Sequence, residues 1–79
     1  MKTPRSVSAT GLIKKLKPLG YEVTRQSGSH IRLTTEQKGR HHITVPNHDP
    51  LRVGTFSSII TDIAKHFGKS KKQLLDELF

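Results

Sequence analysis

The stretch that decides the fold is residues 21–33, YEVTRQSGSHIRL. Two short runs in which apolar and polar residues alternate lie on either side of Ser27 and Gly28. Alternating runs that flank a tight turn predict a β-hairpin. His30 begins the second run, so the hairpin would hold its imidazole in a fixed place. We therefore take this hairpin as the centre of both the fold and the candidate site.

A third alternating run follows the polar residues 35–40 and ends at Pro46, which cannot donate a hydrogen bond to a neighbouring strand. Strict alternation predicts an antiparallel sheet with one packed face and one open face. The packed face would hold Tyr21, Val23, Ile31, Leu33, Ile43 and Val45. The open face would hold Thr24, His30, Arg32, His42 and Thr44. A slip of one residue would bury His30, so the register decides whether the imidazole is accessible.

A short helix is predicted before the hairpin. Leucine and isoleucine recur on one face of residues 9–17, Ser8 is the predicted N-cap, and Gly20 would close the segment. Residues 1–7 are basic and polar and contain Pro4, which predicts a loose lead-in.

Two helices are predicted after the sheet. An apolar stripe at three- and four-residue steps predicts a long helix capped by Gly54 or Thr55 and ended by Gly68. Residues 70–73 have the form of a capping box and would open a short final helix. The helices must cover the apolar sheet face. We therefore predict one α+β domain over residues 1–79, a two-layer α-β-β-β-α sandwich with a three-stranded antiparallel sheet and a short C-terminal helix.

The composition favours a polyanionic partner. Fourteen Lys and Arg against six Asp and Glu give a net charge of +8 and a pI near 10.3. Charge of this size on one small domain favours nucleic acid, although an acidic protein would be attracted by the same field. The chain has no cysteine, which excludes disulfides, thiolate metal sites and a cysteine nucleophile. No apolar run approaches the ~20 residues of a membrane span, and no signal-peptide pattern follows Met1. We expect a cytoplasmic protein without membrane contact.

His30 is the candidate for chemistry. An ordinary imidazole titrates near pH 6.5, so it can take the 2′-hydroxyl proton of RNA and allow the 2′-oxygen to attack the adjacent phosphate. Arg25, Arg32 and one of Lys14 or Lys15 would stabilise charge on that phosphate. Gly28 would let a phosphate backbone approach closely. The alternative interpretation is a surface histidine in a hairpin.

The other imidazoles do not form a metal-ligand pattern. A metal site needs three or four convergent ligands, whereas the adjacent His41 and His42 should point to opposite sheet faces. We expect neither a metal nor a cofactor. We interpret His41 as part of a solvated strand entry. His42 would share the open face with His30 and is a candidate for a second proton-transfer group.

Five blocks of residues, in this order, resemble the HicA toxin family of small ribonucleases from toxin–antitoxin pairs. The resemblance extends from about residue 8 to the C-terminus. The blocks are residues 12–16 (LIKKL), 19–23 (LGYEV), 25–30 (RQSGSH), 43–48 (ITVPNH) and 54–59 (GTFSSI). The chain departs from the family at Ile31, where many members have a second histidine, and at Gly11, where a better helix former is common.

The resemblance implies a fold like that of double-stranded-RNA-binding domains and cleavage of mRNA without a metal. It also implies that His30 is the catalytic histidine and that a HicB-like antitoxin covers it. The expected RNA-binding residues are Lys14, Lys15, Arg25, Gly28, Ser29 and Arg32. Two alternatives stay open: a non-catalytic RNA-binding module of the same fold, and a protein-interaction domain whose basic face serves an acidic partner.

Overall fold

The computed structural model describes residues 7–79 and confirms the predicted order of elements. The strands form one antiparallel sheet in the order β1-β2-β3. The elements are α1 (Ala9–Leu16), a 3-10 turn (Lys17–Leu19), β1 (Glu22–Ser27), β2 (His30–Thr35), β3 (His41–Pro46), α2 (Val53–Phe67) and α3 (Lys71–Leu78).

All three helices pack on one face of the sheet. Side chains of α1, α2 and α3 share a single buried cluster with alternate residues of β2 and β3. The largest fully buried apolar members are Leu12, Leu16, Tyr21, Leu33, Val45, Ile60, Ile63, Leu74 and Leu75. The opposite face of the sheet remains open. Within residues 7–79, no helix combines the length and apolar character needed to cross a membrane.

Val23 is the one residue of the predicted packed face that is not buried. Its side chain is 50% exposed, although it lies directly opposite the buried Leu33. The cause is its place in β1, an edge strand that the helical layer does not fully cover. A depression of about 380 Å³ lies there, lined in part by Val23, Ile13 and Lys17. The prediction that Val23 is packed was therefore wrong.

The short helices have the predicted caps, whereas the long helix does not. The Ser8 hydroxyl accepts a hydrogen bond from Gly11 N, and the Ser70 hydroxyl accepts one from Gln73 N. The N-cap of α2 is Arg52, whose extended backbone precedes the first helical residue and whose carbonyl accepts from Phe56 N. The prediction that Gly54 or Thr55 caps α2 was wrong, because both residues already lie within the helix.

The chain before α1 is fastened at Val7. Its carbonyl accepts a hydrogen bond from Leu51 N at 2.8 Å, and its side chain packs against the core. The sequence predicted a loose lead-in over residues 1–7, but Val7 is bonded and packed and does not belong to one. Residues 1–6 lie outside the described part of the chain.

Thr35 is a buried polar residue that joins the sheet to the turn after α1. Its hydroxyl donates to the Leu19 carbonyl at 2.7 Å and accepts from Gln37 N at 3.1 Å. Gly20 ends that turn with a φ of 83°, and a Cβ atom added there would lie 2.7 Å from Thr35 Oγ1. A side chain at Gly20 would therefore displace the hydroxyl from the turn.

The variant Gly20→Ala should lower the free energy of unfolding more than Gly68→Ala. Both glycines have left-handed backbones, which cost an alanine about 1–2 kcal/mol. Gly68 has open space around it, so only Gly20→Ala should lose a further ~1–3 kcal/mol from the displaced Thr35 hydroxyl. Urea unfolding of the two variants measures the difference. Equal losses would show that the Thr35 contact contributes nothing.

Candidate functional site

His30 lies on the open face of the sheet, at the end next to the β1–β2 turn. It is exposed, and the register places it opposite Ser27 of β1 and Pro46 of β3. The turn consists of Gly28, with a φ of 58°, and Ser29, whose carbonyl accepts a hydrogen bond from Asn47 N at 2.6 Å. The open-face placement predicted by alternation is confirmed, and the backbone that holds the imidazole is fixed from both sides.

Arg25 and Arg32 lie side by side near His30. Arg32 follows His30 by two residues on the same face of β2, and Arg25 is its Cα partner in β1. Simple alternation from Val23 would turn Arg25 toward the helices. A β-bulge between Val23 and Arg25 adds one residue and returns Arg25 to the open face.

Lys14 and Lys15 lie in the other layer of the molecule. Both line a depression beside α3, together with Lys69 and Glu77, and Lys15 Nζ lies 5.7 Å from the centre of the Phe79 ring. The helical layer covers the face of the sheet opposite His30. The expectation that one of these lysines stands beside the imidazole was therefore wrong.

His42 shares the open face with His30 but lies at a distance from it. Its Cα partner is Thr34, which is four residues beyond His30 on β2, or about 13 Å at the rise of a β-strand. The two imidazoles are therefore too far apart to act on one phosphate, and His42 does not fit the role of second proton-transfer group. Across residues 7–79, no group of three or more His, Asp or Glu side chains is placed to hold a metal ion.

A second cluster of titratable groups joins the sheet to α2. The Tyr21 hydroxyl lies 2.6 Å from His41 Nδ1, and His41 Nε2 lies 3.4 Å from Asp62 Oδ1. The carboxylate beside Nε2 favours the tautomer with its proton on Nε2, which leaves Nδ1 to accept from the Tyr21 hydroxyl. The ring of His66 stacks on that of His41 with centroids 4.4 Å apart. The interpretation of His41 as a solvated strand entry was wrong.

The sequence contained a signal for this cluster that alternation alone could have revealed. His41 lies two residues before Ile43 and four before Val45, so alternation places it on the same face of β3 as these two residues. Its register partner is the buried Thr35. His41 therefore belongs to the packed face, where a polar ring needs partners. The identity of those partners depends on tertiary contacts with Tyr21 and Asp62, which no local pattern indicates.

Burial raises the pKa of Tyr21 far above its ordinary value, and the negative charge of Asp62 raises it further. The phenolate form is disfavoured because it would lose water and face a carboxylate. Tyr21 therefore serves as a neutral hydrogen-bond donor within the core.

The chain is thus a small basic α+β domain whose open sheet face presents the exposed imidazole of His30 beside two arginines. A family model described as HicA toxin of bacterial toxin–antitoxin matches residues 10–67 of the 79. The chain belongs to the HicA toxin family, which confirms the resemblance. Comparisons with curated proteins and with solved structures gave no match. His30, Arg25 and Arg32 all lie within the matched region.

The raised pKa of Tyr21 makes a prediction about stability at alkaline pH. Above about pH 10 the unfolded chain releases the phenolic proton while the folded chain keeps it. The free energy of unfolding should therefore fall with rising pH in wild type more steeply than in Tyr21→Phe. The two slopes should differ by up to about 1.4 kcal/mol per pH unit.

Urea unfolding of both proteins between pH 9 and pH 11, roughly centred on the ordinary tyrosine pKa, measures this difference. The lysines titrate equally in the two proteins, so their effect cancels. Tyr21 is the only tyrosine, so the absorbance of phenolate reports its ionisation directly. Parallel stability curves would contradict the assignment.

Proposed function

We propose that this chain is the toxin of a type II toxin–antitoxin pair and cleaves mRNA without a metal. His30 is the general acid or base. The observation that supports this proposal is the position of His30. Its exposed imidazole stands on a hydrogen-bonded hairpin, two residues from Arg32 and on the same face, in a chain of the HicA toxin family.

The proposed reaction is a transfer within the RNA chain. His30 takes the proton of a 2′-hydroxyl, the 2′-oxygen bonds to the adjacent phosphorus, and the bond from phosphorus to the 5′-oxygen breaks. The leaving 5′-oxygen takes up a proton from water, and the other product ends in a 2′,3′-cyclic phosphate. Arg25 and Arg32 add positive charge to the same face of the sheet as His30, which attracts the RNA backbone toward the imidazole.

The other predicted contacts divide between the two layers of the molecule. Gly28 and Ser29 shape the turn, and the space around Gly28 is open, so an RNA backbone can approach it closely. Lys14 and Lys15 lie away from His30 and would attract RNA through the long-range field of the protein. We assign them to RNA attraction and not to the reacting phosphate.

A HicB-like antitoxin is the proposed protein partner, and the cytoplasm is the proposed compartment because mRNA is found there. The open sheet face is broad and polar, with an exposed His30 at one end. A protein bound over that end would block the imidazole. The α-β-β-β-α order also supports the fold like that of double-stranded-RNA-binding domains which the family implies.

A non-catalytic RNA-binding module of the same fold is the second candidate, because the residues that the register places beside His30 offer no proton-transfer partner. Its neighbours on the open face are Ser27, Pro46 and Arg32. None of these side chains ordinarily titrates near neutral pH. This observation favours binding without cleavage.

The decisive measurement is cleavage of a long single-stranded RNA in the presence of EDTA. Wild type should cleave it and leave 2′,3′-cyclic phosphate ends. His30→Ala should lose roughly 10²- to 10⁴-fold in rate, as expected for a missing acid–base group, while it still binds the RNA.

His48→Ala is the matched control, because His48 is also exposed but lies in the loop after β3. It should keep the wild-type rate. Equal cleavage by wild type and His30→Ala would remove His30 from the mechanism. Binding without cleavage by wild type would favour the RNA-binding module.

Addition of the proposed antitoxin should protect His30 from modification by diethyl pyrocarbonate. His30 is exposed in the free chain, so it should react fast alone and slowly in the complex. Peptide mass spectrometry resolves it from His42, which lies at the far end of the same face and acts as an internal control. Modification of His30 at the same rate in the complex would show that the antitoxin neutralises the toxin elsewhere.

A further inference from the structure

The β-bulge in β1 creates a pair of like charges on the open face. Val23 pairs with Leu33, but the next pair is Arg25 with Arg32, so Thr24 is the additional residue. Side chains that are direct partners across antiparallel strands stand within about 4.5–5.5 Å of each other at Cβ. The backbone thus directs two arginine side chains from neighbouring positions to the same face of the sheet.

Like charges in this arrangement repel each other and destabilise a sheet. Among residues 7–79, neither Arg25 nor Arg32 forms a salt bridge. Arg40 lines the same part of the open face as the arginine pair, but Glu36 neutralises Arg40 through a contact of 3.1 Å. The arginine pair is therefore an arrangement that a bound anion would stabilise.

The surface next to the pair is polar and ordered by hydrogen bonds. Thr24 Oγ1 lies 2.8 Å from Thr34 Oγ1, which lies 2.7 Å from His42 Nδ1. This row crosses all three strands and forms part of a shallow depression of about 400 Å³. The lining residues are Thr24, Arg25, Arg32, Thr34, Glu36, Arg40 and His42.

We propose that this depression is a phosphate subsite, in which Arg25 and Arg32 bind the RNA phosphate adjacent to the one attacked at His30. The inference rests on the proposed function and extends it by giving the substrate a path across the sheet. Guanidinium groups suit the role, because each can donate two parallel hydrogen bonds to phosphate oxygens.

The spacing on β2 separates this subsite from the reacting phosphate. Arg32 lies two residues beyond His30 on the same face, which corresponds to about 7 Å along a strand. Side chains stand nearly perpendicular to a sheet, so His30 and the arginine pair face neighbouring positions of one extended ligand. The pair is therefore placed to hold the RNA while His30 acts on the next linkage.

The carboxylate of Glu22 limits the subsite at its far end. Glu22 is the Cα partner of Thr34, so it stands beyond the arginine pair as seen from His30. Its negative charge would repel a further phosphate. The open face accommodates one phosphate next to the reacting one, and the RNA must leave the sheet before it reaches Glu22.

The test uses a 2′-O-methyl oligonucleotide with one ribonucleotide, so that only one linkage can be cleaved. Two further substrates each carry one neutral methylphosphonate linkage. In one substrate it lies directly on the 5′ side of the cleavable linkage, and in the other directly on the 3′ side. The proteins are wild type, the double variant Arg25→Ala/Arg32→Ala, and the control Lys65→Ala/Lys72→Ala. The control loses the same charge from exposed positions in the helical layer.

Wild type and the control should lose roughly tenfold or more in rate with one of the two neutral linkages, the value of a lost charge-assisted contact. The double variant should cleave the fully charged substrate roughly tenfold or more slowly than wild type does. The neutral linkage should not slow the double variant any further. If the neutral linkage slows all three proteins equally, or if the double variant cleaves the charged substrate as fast as the control does, the proposed subsite is wrong.

A binding measurement distinguishes the proposed subsite from the proposed cleavage activity. Fluorescence anisotropy gives the affinity of each protein for the same substrates over a range of salt concentrations. If wild type does not cleave, the proposed function fails, yet the subsite still predicts that the double variant has a shallower salt dependence. The slope should fall by about 0.7 for each phosphate no longer contacted. An unchanged slope, with loss of binding to an acidic antitoxin instead, would assign the arginine pair to a protein partner and overturn the subsite.

Discussion

The constraint on which the whole molecule depends is that its sheet can be covered on one face only. A domain of 79 residues buries a limited share of its surface, and here all three helices are used on the same side. The opposite face must therefore satisfy its polar groups within the sheet or with solvent. The hydrogen-bonded row of Thr24, Thr34 and His42 does part of this. The rest of that face is available to a ligand.

The basic charge of the chain is divided between the two layers. Arg25 and Arg32 stand on the sheet, whereas Lys14, Lys15 and Lys69 lie in the helical layer. Lys69 pairs with Glu77 at 2.6 Å, and Lys15 lies over the ring of Phe79. The rigid strand backbone holds the planar guanidinium groups, which suits directed contacts to phosphate. The lysines of the helical layer contribute to the long-range field around the domain instead. Net charge alone therefore describes neither role.

Periodicity predicted the parts of the fold that depend on burial. The alternation in β2 and β3 and the stripe of α2 are patterns that a packed face imposes on the sequence, and each was confirmed. The bulge at Thr24 was not predictable in this way, because an additional residue in one strand depends on the hydrogen bonds of the pair. The exposure of Val23 was missed for a related reason. Alternation places it on the correct face, but the helical layer covers that edge of the sheet only in part.

The comparison of His30 with His41 shows which part of the site the sequence could indicate. Both are histidines at the first position of a strand. His41 has both ring nitrogens committed, one to the hydroxyl of Tyr21 and the other to Asp62, so transfer of its proton would disturb the core. His30 has the opposite parity and turns its ring to solvent above a fixed turn. The alternation of side chains between the two sheet faces separates a structural histidine from an accessible one. Only the accessible imidazole can exchange a proton with a ligand while the fold stays unchanged.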